Sequence, residues 1–416
     1  MGLNDGTEVW PQTPSDLLPF GVVDMMVGDY IKNVIHLQYL FGDGTIQTII
    51  IETVSHERPR AAASLLASVH NHRFYKPQQR ALQNPDMRDR LKSLKPLLSS
   101  VSHRAEDAVA ALHVVSSILF DGGQGSWKKW LGVANRYVDG LFRWRDSPAD
   151  VLIQSTPKDA FIIKTTIWFD VLASVTTQEV PHFLSAIRGM FGPQHPEEYD
   201  TCSQYSMMSP MGCENIIVWA LAETSALAHW KATKKKDGSL SMPKLVVAAQ
   251  QIESQAYARD IRPPPGAELL MKNGNLQGLR QLASEIFRSA TRLYLRTIVS
   301  GDYPRVPEIE TSVKEMVERI QEINRASLVS TDSERTLAGS IVRNAVFGFF
   351  ICGAFADDEE SQAIVLEQVK YQGEGAGNCG SVRKLLEGLW DRRRGDLKDQ
   401  SVPWRETLKE TETLLV

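Results

Sequence analysis

The feature that most constrains this chain is the period of its apolar residues, which is helical almost wherever it can be measured. Ile46, Ile49, Ile50, Thr53 and Val54 stand at i, i+3, i+4, i+7 and i+8. The β-branched run TIQTIII by itself suits a strand, but the one-sided stripe favours a helix. Ala108, Ala111, Leu112, Val115, Ile118 and Leu119 repeat the stripe until Asp121-Gly122-Gly123 ends it. Ile216, Ile217, Ala220, Leu221, Thr224 and Leu227 form another, and Leu279, Leu282, Ile286, Ala290 and Leu293 the next. Phe161 to Val175 is denser, which predicts a central helix covered on several sides. Val313, Met316, Val317, Ile320 and Ile323 alternate with charged residues, and Glu315 and Arg319 have the i,i+4 spacing of an ion pair on the wet face. Val382, Leu385, Leu386, Leu389 and Trp390 give the last stripe, with Ser381 placed to cap its first amides. No run of strands separated by hairpin turns occurs, and no βαβ alternation. The expected fold is all-α, a large irregular helical bundle or array with no significant β-sheet.

Breaks fall where composition changes. Residues 1–20 are expected to be a flexible N-terminal tail, and residues 21–416 a single helical domain with loops near 192–212 and 262–278. Lys234 to Pro243 reads as a shorter polar loop, and Gly301 to Pro307 as a tight connector. Arg262-Pro263-Pro264-Pro265-Gly266 cannot continue a helix. No 34- or 40-residue self-similarity supports a regular solenoid. Among 416 residues, 46 Lys and Arg stand against 50 Asp and Glu, a net charge of −4 that supplies no dominant field for nucleic acid or an anionic membrane. The N-terminus has acids and prolines where a signal peptide needs a basic start and an apolar run. Ala345 to Ala356, read as the longest apolar-rich stretch, falls short of the about 20 residues of a membrane span. A soluble, intracellular protein is expected.

Residues that could carry chemistry are few. Cys202, Cys213, Cys352 and Cys379 never approach the spacing of a zinc knuckle or a redox dithiol, so inert thiols are expected. No GxxxxGK[ST] loop occurs, and the glycines at 122, 123, 125 and at 373, 375, 377 lack the spacing of a phosphate or dinucleotide cradle. The nine histidines include one close pair, His70 and His72, best read as a polar helix end. Cys379 has no identifiable base, and Asp357-Asp358-Glu359-Glu360 reads as a solvated helix terminus, not a calcium loop. No catalytic residue, metal site or cofactor is assigned. Lys234-Lys235-Lys236 and Arg392-Arg393-Arg394 are candidate nuclear import signals, and are also what ordinary solvated loops contain.

The order of several phrases resembles the fungal-specific transcription factor regulatory domain, the helical region C-terminal to the binuclear zinc cluster of many fungal regulators. Asp29-Tyr30-Ile31-Lys32-Asn33-Val34-Ile35-His36-Leu37-Gln38-Tyr39 is similar to its opening helix, and Arg58 to His70 to the small-residue helix that follows. Thr165 to Thr177, containing Trp168-Phe169-Asp170, then Pro181 and Phe183, resembles its central signature. Ile286-Phe287, Tyr294-Leu295 and Ser300-Gly301-Asp302-Tyr303-Pro304 match its helix-and-turn pattern. Gly377-Asn378-Cys379, Leu385-Leu386-Glu387, Trp390 and Trp404-Arg405-Glu406 resemble its closing helices. The resemblance covers roughly residues 25–416. It departs in two places: these residues hold no run of six closely spaced cysteines, and Arg343-Asn344-Ala345-Val346-Phe347 stands where the family has a WPLF phrase.

The resemblance implies a non-catalytic module without its own DNA reader, acting in the nucleus, or in cytoplasm and nucleus, by ligand sensing or protein interaction. Related regulators are thought to sense small apolar metabolites such as sterols, so Trp168, Phe169, Asp170, Phe347, Phe350, Cys352 and Phe355 are carried as candidate pocket residues. The residues alone favour a plainer role: Asp170 tying the central helix to a neighbour, and the phenylalanines filling a core. Expected partners are a small apolar metabolite, a co-regulator protein or a second copy of the chain, with no membrane. Two alternatives stay open. One is a helical scaffold that binds a protein and no small molecule. The other is an all-α enzyme of prenyl diphosphates, for which Asp357-Asp358 supplies only part of a DDxxD motif, Ser361 standing where the last Asp would be.

Overall fold

The periodic stripes become helices throughout the computed structural model, which describes residues 25–100, 104–143, 145, 147–194, 204–257, 276–329, 341–371, 377–394 and 400–416. The chain opens with α1 (Met25–Asp29), passes through a π-helical turn over Tyr30–Val34 and continues as α2 (Ile35–Gln38). Next come α3 (Gly44–Thr53), α4 (Glu57–Tyr75), α5 (Pro85–Ser93), α6 (Pro96–Ser99), α7 (Ala105–Phe120), α8 (Trp127–Phe142), α9 (Pro148–Gln154) and α10 (Pro157–Thr177). The middle holds α11 (Leu184–Phe191), α12 (Met208–Met211), α13 (Asn215–Lys236) and α14 (Met242–Tyr257). The last third holds α15 (Leu276–Ser300), α16 (Pro307–Val329), α17 (Val346–Phe355), α18 (Glu359–Tyr371), α19 (Cys379–Arg393) and α20 (Trp404–Thr411). Among the described residues the only β-type pairing given is one isolated bridge, Gln124 with Thr413.

Local chemistry explains the starts. TIQTIII is helical because the Asp43 carboxylate accepts from the Ile46 amide and seals the first turn of α3. Three helices, α5, α9 and α10, begin on proline behind the caps Asn84, Ser147 and Thr156. Proline lacks only an amide that would be orphaned there anyway.

Two apolar helices organise the packing. The first, α10, lies against α7, α8 and α13, and everything from Ala160 to Thr176 is buried. By length and composition it could cross a membrane, yet 94% of its most apolar window is buried inside the protein. Among the described residues it, not the 345–356 stretch, is the longest apolar segment. The second, α17, is buried along its whole length between α15, α16, α18 and α19. Its glycines permit this approach: a Cβ on Gly348 would stand 2.8 Å from Ile286, and one on Gly353 2.8 Å from Leu386. Between the two cores runs α15, which packs on α13, α16 and α17.

Several local expectations need correction. All of α7 except Glu106 is buried, because neighbours cover it on every side, so its stripe was not one-sided. The polar stretch from Lys234 to Pro243 is helical at both ends, with the turn confined to residues 237–241. The lysines complete the last turn of α13, where the dipole favours cations, and Pro243 sits in the first turn of α14. The 192–212 loop contains the short α12, and α15 begins at Leu276, inside the range expected to be loop. Residues 195–203 and 258–275, including Arg262–Gly266 and Cys202, lie outside the described residues, as do residues 1–24. Arg319 pairs with Glu322 at 2.8 Å and not with Glu315, which lies 3.9 Å from Arg292 of the neighbouring α15. Ser381 is not a cap. Its hydroxyl lies against Gly122, and the capping position of α19 is Asn378, whose side-chain amide instead reaches the Leu414 carbonyl at 2.7 Å.

Candidate functional site

The seven candidate pocket residues fall on α10 and α17, and α15 stands between them. Trp168 meets Phe287 of α15 edge to face, 4.8 Å between centroids. Two turns along the same helix, Tyr294 meets Phe347 at 6.2 Å and Trp404 at 5.6 Å. Trp404 in turn takes the Phe350 and Phe355 rings, each at 6.3 Å. Phe169 and Cys352 are buried in the same body. The candidates therefore form two aromatic contacts on one connecting helix. Phe287, Tyr294 and Trp404 also belong to the arrangement, though in the sequence they stand out only within the phrases that carry the resemblance. Nothing periodic in the sequence ties Trp404 to Phe350, because the contact is tertiary.

Asp170 faces the turn after α10. Its carboxylate accepts from the His182 amide at 3.1 Å and the Phe183 amide at 3.0 Å. Burial pushes its carboxyl up to about 6, and the two amides hold the rise back. The bonds fasten the turn and seat Phe183 in the core. His182 also reaches Asp139 of α8 at 2.9 Å.

The C-terminal segment joins the two cores. The Trp404 indole donates to Asp302 at 3.0 Å, the Val402 amide reaches the Asp302 carbonyl at 2.7 Å, and Arg405 pairs with the Asp302 carboxylate. Further on, the Glu412 carbonyl accepts from the Trp127 indole at 2.8 Å, and the Thr413 carbonyl from the Thr176 hydroxyl at 2.7 Å.

The charged candidates are placed unevenly. Lys236 lines an open concavity of about 470 Å³ with Lys128, Lys409 and His229, beside Glu179 and Glu412. Of the arginine triplet, Arg393 is buried and paired with Asp357, Arg394 pairs with Asp391 at 3.1 Å, and Arg392 is exposed. A second groove of about 450 Å³ lies between α11, α13 and α14. Its floor holds Trp219, Trp230 and Ile252, and Arg188 bonds Glu223 at 2.6 Å on its rim.

Other reactive groups are committed to structure. Asp358 accepts from the Ser361 amide at 2.7 Å and starts α18, while Asp357 takes Arg305 and Arg393. Burial raises the thiols of Cys213, Cys352 and Cys379, the last to about 11, which keeps them protonated. Among the described residues no three His, Cys, Asp or Glu side chains are grouped to hold a metal.

This continuous helical body, from the opening helix to α20, coincides with one family, described as the fungal specific transcription factor domain, which matches residues 27–416. The chain belongs to that family. As a fungal transcription factor domain it resembles several curated regulators. It is 22% identical over 287 residues to the transcription factor ntnD of a Nectria species, covering 63% of this chain and 43% of that protein. It is 27% identical over 210 residues to the ustiloxin B cluster transcription factor ustR of Aspergillus flavus, 48% of this chain and 33% of that one. It is 24% identical over 222 residues to the trichothecene biosynthesis transcription regulator TRI10 of Trichoderma arundinaceum, 52% of this chain and 47% of that one. The chain thus spans between a third and a half of the length of these relatives. No solved structure matches it.

Proposed function

We propose that this chain is the regulatory region of a fungal transcription factor that controls a set of biosynthetic genes, and that it acts by binding and not by catalysis. The observation that carries this is the family match across nearly the entire helical body, joined by relatives named as regulators of ustiloxin B and trichothecene production. Its mechanism is a population shift, in which a metabolite, co-regulator or second copy of the chain binds one helix packing better than another. The part most suited to two packings is the pair of cores linked by α15, since a molecule lodged beside Trp168 or Phe347 would bias both and the clasp at Asp302. The chain then works in the nucleus, with Lys234–Lys236 and Arg392–Arg394 as the candidate import elements.

The test is a fusion of the whole chain to a DNA-binding domain of known operator, assayed on a reporter in a fungal host. Reporter output is expected to differ from that of the DNA-binding domain alone. Unchanged output, with the fusion demonstrably in the nucleus, would overturn the reading. Native mass spectrometry of the chain after exposure to a fungal lipid extract separates sensing, which retains a small molecule, from the scaffold alternative.

A further inference from the structure

Near the start of α17 stands a guanidinium with no ion pair among the described residues. Arg343 lies on a short helical turn over residues 341–344 that leads into α17. It is largely withdrawn from solvent, and its Nε is sealed with no hydrogen-bond partner. Among the described residues it makes neither a hydrogen bond nor an ion pair, and its one specific contact is with Phe120, whose ring centroid lies 5.2 Å from its Cζ. A ring face returns far less than withdrawing a guanidinium from water costs. Two arginines that are buried have counterions: Arg393 has Asp357 and Arg288 has Glu214.

A second polar side chain stands at the same ring. The His70 imidazole lies 6.0 Å from Phe120, edge to face, and its Nδ1 is sealed without a partner. Burial and the Arg343 charge both lower the pKa of His70 and a hydrogen bond with Asn71 opposes them, so Arg343 and His70 feel each other. Asp29, the carboxylate whose charge His70 also feels, is engaged by the Asn33 and Asn71 amides at 2.6 and 2.8 Å. Beyond His70 the surface is aromatic. Phe74 lies 6.5 Å from the imidazole and is 69% exposed, and Tyr75 stacks edge to face on it while 78% exposed. Arg343 and His70 thus meet at one buried phenylalanine, with two exposed rings beyond the imidazole.

We propose that Arg343 and His70 form a binding site for a small organic acid, whose carboxylate they hold while its apolar or aromatic body lies against Phe74 and Tyr75. The planar guanidinium fork matches two carboxylate oxygens, and burial strengthens each bond. The rings supply the hydrophobic contact that a free inorganic anion cannot use. Because Arg343 immediately precedes α17, an occupied site would hold the start of that helix against α4 and α7. The site is distinct from the Trp168 and Phe347 contacts and is tested by direct binding, so it stands or falls independently of the regulatory reading.

The test uses the full chain and three probes: 4-phenylbutyrate, the neutral 4-phenylbutanol, and inorganic phosphate at equal ionic strength. Phenylbutyrate is expected to raise the melting temperature in a saturable way, by about 3 °C at a hundred times its Kd. The alcohol and phosphate should do markedly less. Arg343→Met should abolish the response, yet the ligand-free variant should melt no lower than the native chain, since it discards an uncompensated charge. Arg343→Lys, which keeps the charge but loses the fork, should weaken binding by about tenfold. The proposal fails if phenylbutyrate gives no saturable rise, if the alcohol or phosphate equals it, or if either variant responds like the native chain.

Discussion

The two buried cores reach the same degree of burial by different means. Around α10 the interior contains polar groups: Lys164 donates to the Ser206 carbonyl at 3.1 Å, Asp170 holds two amides, and His113 on α7 lies within 3.2 Å of Gln38. Around α17 it is hydrocarbon, aromatic rings and a protonated thiol, closed against two glycines. The first core is fixed by directional bonds, each tying a distant segment to one place on the helix. The second is fixed by shape, and the Trp390 indole that donates to the Gly353 carbonyl at 2.9 Å is its main polar tether. Directional bonds make a core sensitive to pH and tolerant of small volume changes. Close packing does the reverse.

That contrast is open to attack. Phe350→Ala empties the centre of the apolar core beside Trp404 and should cost about 3–5 kcal/mol, equally at neutral and mildly acid pH. Denaturant midpoints at both conditions measure it, and a loss that varied with pH would blur the distinction. Next in size is the titration of Asp170. Its folded pKa of about 6 lies above the ordinary 3.8, so the native state binds its proton more tightly than the unfolded chain. Its contribution therefore rises as pH falls from about 6 to about 4, by up to about 3 kcal/mol.

His113 works in the opposite direction. Burial lowers it from 6.5 to about 3, so stability is lost as pH falls through the range where only the unfolded chain gains the proton. Asp170→Asn removes the compensating member, and the variant should lose stability on acidification more steeply than the native chain. Parallel pH profiles for the two proteins would refute the assignment. The smallest effect is expected at Gly353→Ala, whose new methyl would meet the Leu386 side chain at 2.8 Å, for about 1–3 kcal/mol by thermal or chemical unfolding. A neutral result there would mean the apolar core is looser than its contacts imply.

Much of the first core and of the second was legible from residue order. Trp168-Phe169-Asp170 in an apolar run announced a central helix with one structural carboxylate, and Phe347 to Phe355 announced a buried segment. What could not be read was pairing across the chain. The i,i+4 rule chose Arg319 for Glu315, while a neighbouring helix brought Arg292 within reach and Glu322 lay closer to Arg319. Ser381 looked like a cap because it preceded a stripe, but the start of a helix depends on backbone geometry two or three residues away. Arg343 and His70 are 273 residues apart in sequence, and only folding sets both against Phe120.

By itself, then, the sequence determined the helices, their apolar faces and the family, because a helix is a local structure whose period is written into consecutive residues. The tertiary structure decided which faces meet, that α15 connects two unlike cores, which charges are neutralised, and that Arg343 has no ion pair among the described residues. Those outcomes depend on distances between segments far apart in the chain, where burial changes the strength of every charge and no local pattern records the partner.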